Sequence, residues 1–275
     1  MFKLKYKICE AFGIPVYTEI SFLLILFLFA TSFGSFAYGI ACGLVLAISI
    51  VLHELGHALT ARAFGYKTRD ITISFLGGCA SLSSMPRKAY QEFLTAAAGP
   101  LVSFMLAGLS FFVLFLFGGM NAVQGIVVKG FDEFFHTVFY YSMWTNFILG
   151  CFNLLPGFPM DGGRIFRCIA RIFTTRVKAT YIAMIVGRAT AILIGLRGLH
   201  AMFSGGSFGF ISIFIAWMIW NEGKREYLQT MAEDSWGGRW EYSGRVSPPP
   251  YGGDEEEVEI KKIEICKKQK KDIIQ

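Results

Sequence analysis

Two histidines and a glutamate interrupt one of the most apolar segments of the chain, residues 49–60, which read SIVLHELGHALT. In a helix of 3.6 residues per turn, His53 and His57 lie about 40° apart on one face and ~6 Å apart along the axis. Two imidazoles in this arrangement can share one Zn²⁺ ion, while Glu54 projects beside them as a general base. The segment therefore predicts a metal site inside an apolar helix.

The composition, 54% hydrophobic and only 17% charged, is typical of a polytopic membrane protein and not of a soluble domain. Six apolar segments are interpreted as membrane spans, at residues 17–33, 37–64, 93–117, 136–155, 179–199 and 208–220. The expected fold is therefore an all-α polytopic membrane protein with six transmembrane helices within residues 1–221. Charged and turn-forming residues dominate positions 222–275, for which we expect a flexible cytosolic tail.

The net charge of +6 does not indicate a nucleic-acid partner, because most of the basic residues flank apolar segments, where membrane orientation explains them. The six cysteines include no C-x-x-C pair, so neither a disulfide framework nor a cysteine metal site is expected. The lysine-rich N-terminus precedes an apolar segment without a clear small-residue cleavage site, which favours an uncleaved first span over a signal peptide.

Two segments interrupt the helical pattern. Residues 70–83 alternate between apolar and polar side chains and then break at Gly77 and Gly78, which predicts a short membrane-associated β-hairpin. The fourth predicted span ends in NLLPGFPMDGGR, residues 153–164, where two prolines and three glycines prevent a regular helix. Irregular backbone at membrane depth is tolerated only where it is buried in protein or lines a wet cavity.

The basic residues predict the orientation of the chain. Three lysines precede the first span, five Lys or Arg lie in residues 62–88, five lie in residues 164–178, and ten follow the last span. The opposite flanks carry only Lys129 and Arg197, so both termini are predicted to be cytoplasmic. The HELGH motif then lies about 10–17 Å below the cytosolic boundary, and the broken segment ends on the same side.

A catalytic zinc site usually has three protein ligands and one open position. Asp161 is the best candidate for the third ligand, because Gly162 and Gly163 would let the broken chain approach the metal closely. The alternative is an aspartate that caps the basic segment after it. His136 and His200 lie on the opposite side in this topology, and we expect them to contact headgroups or water.

Arg188 lies within the fifth predicted span. An ionisable residue at such a position is a candidate functional residue by default. Snorkelling, pairing with backbone carbonyls and a misplaced span boundary stay open as alternatives.

Three motifs follow one another in the second to fourth predicted spans: HELGH at residues 53–57, AAAGP at 96–100 and N-x-x-P-x-x-x-x-D-G at 153–162. In this combination the sequence resembles the site-2 protease family of intramembrane zinc metalloproteases. The resemblance implies a three-helix catalytic core at about residues 37–165.

The resemblance also implies roles for individual residues. The implied zinc ligands are His53, His57 and Asp161. Glu54 would activate water, and Asn153 would stabilise the oxyanion or position the substrate. The hairpin around Gly77 and Gly78 is similar to the membrane-embedded hairpin of the family, where a substrate would add as an extended strand.

The implied function is regulated proteolysis within the membrane, with a membrane protein substrate, the lipid bilayer and a regulatory membrane protein as partners. The simple architecture is similar to bacterial and archaeal members, including the sporulation-type branch, so we expect a multi-pass protein of a prokaryotic cell membrane. The sequence lacks the long insertion that could hold a peptide-binding domain. We expect the charged tail at 222–275 to be too short and too charged for the paired nucleotide-binding domain of some members, which leaves regulation and substrate capture open.

Two functions from other classes stay open as alternatives to proteolysis. A membrane metal-ion transporter would use the same histidines and aspartate as a permeation site, but it does not need Glu54 beside the first histidine. An inactive scaffold that binds membrane partners would not need the full set of catalytic residue types, all of which are present.

Overall fold

We describe the chain from a computed structural model, which describes residues 5–240 except 33–34, 75–76, 83–85, 87, 126–131 and 205–208. The chain divides into two compact units, residues 1–230 and 231–275. Of the second unit, only residues 231–240 are described, and they form the end of a helix.

Seven helices occur in the described part of the chain: α1 Ile20–Ser32, α2 Phe36–Ala63, α3 Ala89–Val123, α4 Glu133–Asn153, α5 Asp161–Ala170, α6 Arg176–Phe203 and α7 Gly209–Trp240. Among the described residues, α2, α3 and α6 are long and apolar enough to cross a membrane. These helices match the second, third and fifth predicted spans. They indicate a membrane protein, and the count of six spans stays a prediction.

Four strands form one small sheet in the order β1 Lys5–Ala11, β2 Ile14–Glu19, β3 Thr68–Ser74 and β4 Gly77–Leu82. The β1–β2 and β3–β4 pairs are antiparallel, whereas β2 and β3 run parallel. The predicted hairpin is confirmed as β3–β4. Strands β1 and β2 were not predicted from the sequence. The first apolar helix begins at Ile20, three residues later than expected, because β2 extends to Glu19.

The sheet packs on the helix that carries the HELGH motif. Val16 of β2 pairs with Ile71 of β3, and both side chains are buried in one apolar cluster with Ile50 and Leu55 of α2. Burying such aliphatic side chains stabilises the contact by about 1.5–3 kcal/mol each. The β3–β4 hairpin is therefore held against α2 beside the two histidines.

The turn between β1 and β2 is tied to the end of α2. Phe12 and Gly13 both have positive φ, at 53° and 76°, as the central residues of the tightest hairpin turns do. Arg62, in the last turn of α2, donates two hydrogen bonds to the carbonyl oxygen of Phe12, at 2.8 and 2.6 Å. Gly65 follows the C-cap residue Phe64 of α2, and its φ of 87° lets the chain leave the helix.

Two parts of the basic C-terminal region are more regular than expected. Most of helix α5 lies in the basic segment 164–178, where no helix was predicted. Helix α7 continues past residue 221, where the membrane domain was expected to end, to Trp240. A flexible tail after residue 221 stays a prediction, and residues 241–275 lie outside the described part of the chain.

Candidate metal centre

Three side chains from two distant segments meet in the interior. His53 and His57 come from consecutive turns of α2, and Asp161 is the first residue of α5. The two Nε2 atoms are 3.2 Å apart, and each lies 3.2 Å from Oδ2 of Asp161. The three residues are 4%, 8% and 9% exposed. The ligand atoms thus form a nearly equilateral triangle that is shielded from solvent.

The triangle has the dimensions of one face of a zinc tetrahedron. Zinc binds histidine nitrogen and carboxylate oxygen at ~2.0–2.1 Å, which places ligand atoms ~3.3 Å apart in tetrahedral geometry. The observed spacing is within 0.1 Å of that value, and these three residues are positioned to bind a metal ion. A set of two histidines and one carboxylate also suits a catalytic site, because it leaves one position open.

Helix α3 orients the two imidazoles. His57 Nδ1 lies 2.7 Å from the backbone oxygen of Thr95, and His53 Nδ1 lies 2.9 Å from the hydroxyl of Ser103. A carbonyl oxygen only accepts hydrogen bonds, so Nδ1 of His57 carries the proton and its Nε2 presents a lone pair to the triangle. Such hydrogen bonds behind metal-ligating histidines hold the ring and its tautomer.

Gly99 leaves room for both rings. A Cβ atom built on Gly99 would lie 2.5 Å from Cε1 of His57, nearer still to its Nε2, and 2.7 Å from Nε2 of His53. No real side chain tolerates such contacts, so only glycine fits between Thr95 and Ser103 at this crossing of α3 over α2. Gly99 is the glycine of the AAAGP motif at residues 96–100, so this motif borders the candidate metal site.

The two glycines after Asp161 permit a close approach, but to protein backbone and not to the metal. A Cβ on Gly162 would overlap the carbonyl oxygens of Leu154 and Leu155, and one on Gly163 would lie 2.6 Å from the carbonyl carbon of Gly157. The loop after α4 is thus folded tightly back on the start of α5. This packing places Asp161 beside the two histidines.

Comparisons with known proteins agree with this geometry. The family model described as peptidase family M50 matches residues 41–194, which include all three members of the triangle. The chain belongs to peptidase family M50. The solved structure of a site-2 protease from Methanocaldococcus jannaschii is similar to this chain, with a TM-score of 0.56 and 29% sequence identity. The matched region covers 82% of this chain and 95% of the solved chain. The resemblance to the site-2 protease family is confirmed.

A curated relative supports the same assignment. Zinc metalloprotease MJ0392 from Methanocaldococcus jannaschii is 32% identical over 198 residues, which are 71% of this chain and 54% of the relative. The chain thus spans just over half the length of the curated relatives it matches first.

The M50 motif residues outside the triangle have different surroundings. A Cβ on Gly78 would lie 2.6 Å from Cγ of Glu54 and 2.9 Å from its Oε1, so the start of β4 passes directly beside the glutamate. Gly77 pairs with Ser74 at the hairpin turn. The side-chain amide of Asn153 donates to the carbonyl oxygen of Leu149 at 3.0 Å, within its own helix. The structure therefore brings Gly78 to Glu54, and it shows Asn153 bonded to its own helix.

Three other ionisable residues that the structure describes, His136, His200 and Arg188, lie apart from the triangle. His136 is buried, with Nε2 3.1 Å from the carbonyl oxygen of Ala122, so the expectation that it faces water or headgroups is wrong. His200 is exposed near the end of α6. The guanidinium of Arg188 lies over the ring of Trp220 at 4.8 Å, a cation–π contact that the sequence analysis did not consider.

Proposed function

We propose that this protein is a zinc metallopeptidase that hydrolyses peptide bonds of membrane-spanning or membrane-associated proteins. The observation that carries the proposal is the buried triangle of His53, His57 and Asp161, whose ligand atoms are spaced as zinc ligands are. Its two histidines belong to the apolar helix α2. Membership of family M50 supports the same chemistry. Regulated intramembrane proteolysis is the form of this function that the site-2 protease structure favours.

The proposed roles follow from the positions of the side chains. His53, His57 and Asp161 would hold zinc, which supplies Lewis acidity toward a carbonyl group and lowers the pKa of water. Glu54 accepts a proton from the attacking water and returns it to the leaving amine. The amide of Asn153 would turn from the Leu149 carbonyl to the substrate, to orient it or to stabilise the oxyanion.

The substrate would bind as an extended strand along β4. The sheet order leaves β4 at one edge, where unpaired backbone groups can accept another strand. Gly78, the second residue of β4, lies beside Glu54, so a strand added there lies near the proposed base. A helical substrate must unwind first, because its backbone groups are already paired.

The membrane arrangement is also a proposal. We propose six spans in a prokaryotic cell membrane, with the catalytic core at 37–165, a C-terminal region after 221 and both termini in the cytoplasm. Three apolar helices and the concentration of basic residues on one set of flanks support it.

In a variant that retains Cys9 as its only cysteine, we expect a membrane-impermeant thiol reagent to label inverted vesicles and not intact cells. Cys9 suits this test because it is exposed on β1.

The control for orientation is Arg197→Cys in a cysteine-free chain, because Arg197 belongs to the opposite flank in this topology. It should be labelled in intact cells. Labelling of Cys9 from outside the cell would contradict the cytoplasmic N-terminus.

Removal of the metal tests the enzymatic proposal. Purified protein should cleave candidate single-span substrates on SDS gels, and a zinc chelator should slow cleavage by at least about 10²-fold, because a catalytic metal contributes several kcal/mol. Added zinc should restore the activity. Zinc uptake into proteoliposomes without cleavage of any substrate would favour transport instead, and binding of membrane partners without either activity would favour a scaffold.

A further inference from the structure

A second cluster of charged side chains is buried near the metal site. Arg167 of α5 is 1% exposed, and its guanidinium contacts two carboxylates. Its Nε donates to Oε1 of Glu92 on α3 at 2.8 Å, and one terminal nitrogen donates to the same oxygen. The other terminal nitrogen donates to Glu226 of α7 at 2.6 Å. Arg171 contacts the second oxygen of Glu92 at 3.1 Å.

Stability alone does not account for this cluster. Transfer of charged groups from water into a protein interior costs several kcal/mol for each ion, and well-packed apolar side chains are often equally stable in their place. A guanidinium that binds carboxylates through several nitrogens does, however, fix direction as well as distance. The cluster is therefore suited to holding α5 in one orientation against α3.

The contact joins the two segments that complete the metal site. Glu92 lies one helical turn before Thr95, whose carbonyl accepts the hydrogen bond from His57. Arg167 lies on the same short helix as Asp161, which is the first residue of its ten. The guanidinium also lies over the ring of Phe158, at 5.1 Å, in the loop that leads to Asp161. Movement of α5 along α3 would thus break the ion pair and displace the carboxylate together.

We propose that Arg167 and Glu92 are positioning residues for Asp161: their buried ion pair sets the placement of α5 on α3 and thereby the distance from the carboxylate to the two imidazoles. The inference rests on the proposed zinc site. Glu226 holds the other side of the guanidinium and extends the same restraint to α7.

Zinc affinity of the purified full-length protein tests this inference, measured by competition with a chromogenic chelator. We expect Arg167→Met and Glu92→Gln each to raise the zinc dissociation constant by about 10–100-fold, as removal of supporting residues does at other zinc sites. The double variant should bind zinc no more weakly than the single variant with the lower zinc affinity, because both changes remove the same contact. Arg167→Lys, which keeps the charge but loses the planar fork, should recover part of the affinity.

The matched control is Ser110→Ala. It removes a partly buried hydrogen bond of 2.9 Å between Ser110 of α3 and Ser142 of α4, without touching α5, so it should lower the melting temperature and leave zinc affinity unchanged. If Arg167→Met has the same pattern as this control, the pair only stabilises the fold and the inference is wrong. Glu92→Gln, which leaves Arg167 paired with Glu226, decides the question where Arg167→Met does not fold.

The outcomes also separate this inference from the proposed function. Wild-type protein that binds zinc but cleaves nothing, together with weaker zinc binding by Arg167→Met, would support the positioning role and contradict the peptidase. Wild-type protein that cleaves substrate, with zinc affinity unchanged in both single variants, would overturn the positioning role alone.

Discussion

Glu54→Gln should lower the rate of peptide cleavage by about 10²–10⁴-fold and leave zinc binding intact. The amide has the shape of the carboxylate and keeps the contact with Gly78, but it cannot accept a proton at neutral pH. Glu54 lies outside the triangle of ligand atoms, so its loss removes proton transfer and no ligand. The measurements are cleavage of a single-span substrate on SDS gels and zinc content of the purified variant.

The control for this variant is Glu133→Gln, which makes the same chemical change at an exposed position in the first turn of α4. It should cleave at the wild-type rate. Undiminished cleavage by Glu54→Gln would remove the general base from the mechanism. Loss of zinc from that variant would instead show that the glutamate supports the metal site.

The metal ligands were predictable because their signals are local. His53 and His57 repeat at the helical period within an apolar segment, and Asp161 stands in a segment whose prolines and glycines stop a helix. The basic flanks then placed both segments at one depth without reference to either motif. The structure joins them in a triangle of 3.2 Å sides, and no local rule supplies that distance.

The residues that support the ligands were not predictable, because their roles depend on contacts between distant parts of the chain. Thr95 and Ser103 are ordinary residues of an apolar helix, and they matter only because α3 crosses α2 at Gly99. Glu92 and Arg167 are 75 positions apart in the chain, and no local pattern links them. A four-residue spacing of Thr95, Gly99 and Ser103 was the one visible signal, since it puts all three on one helix face.

Strand β2 escaped prediction because its pairing with β3 is long-range. Residues 14–19 are a short apolar run directly before a longer one, and such a run does not distinguish a strand from the start of a helix. Its parallel register, Val16 with Ile71, depends on a strand more than fifty positions later. A parallel pair needs a long connection, and here that connection contains α1 and α2.

Gly99→Ala should lower cleavage by at least about 10²-fold and weaken zinc binding, although it adds one methyl group and no charge. The new Cβ would occupy the space of both imidazoles, at 2.5 Å from Cε1 of His57 and 2.7 Å from Nε2 of His53. The ring of His57 cannot turn aside without breaking its hydrogen bond to Thr95. Displacement of reacting groups by ~1 Å costs about 10²-fold in rate. Cleavage and zinc affinity are measured as for Glu54→Gln.

Gly108→Ala is the matched control for this change, because it lies on the same helix and a Cβ there meets nothing within 4 Å. Alanine at an unobstructed helical position stabilises by ~0.5–1 kcal/mol relative to glycine, so Gly108→Ala should retain full activity and melt no lower than wild type. The same substitution is thus expected to lower activity at position 99 and to leave it unchanged at position 108. The two sites differ because α3 crosses α2 at Gly99 and not at Gly108. Wild-type zinc affinity and cleavage in Gly99→Ala would mean that the two rings do not occupy the positions described, because no arrangement with the triangle intact leaves room for the methyl group.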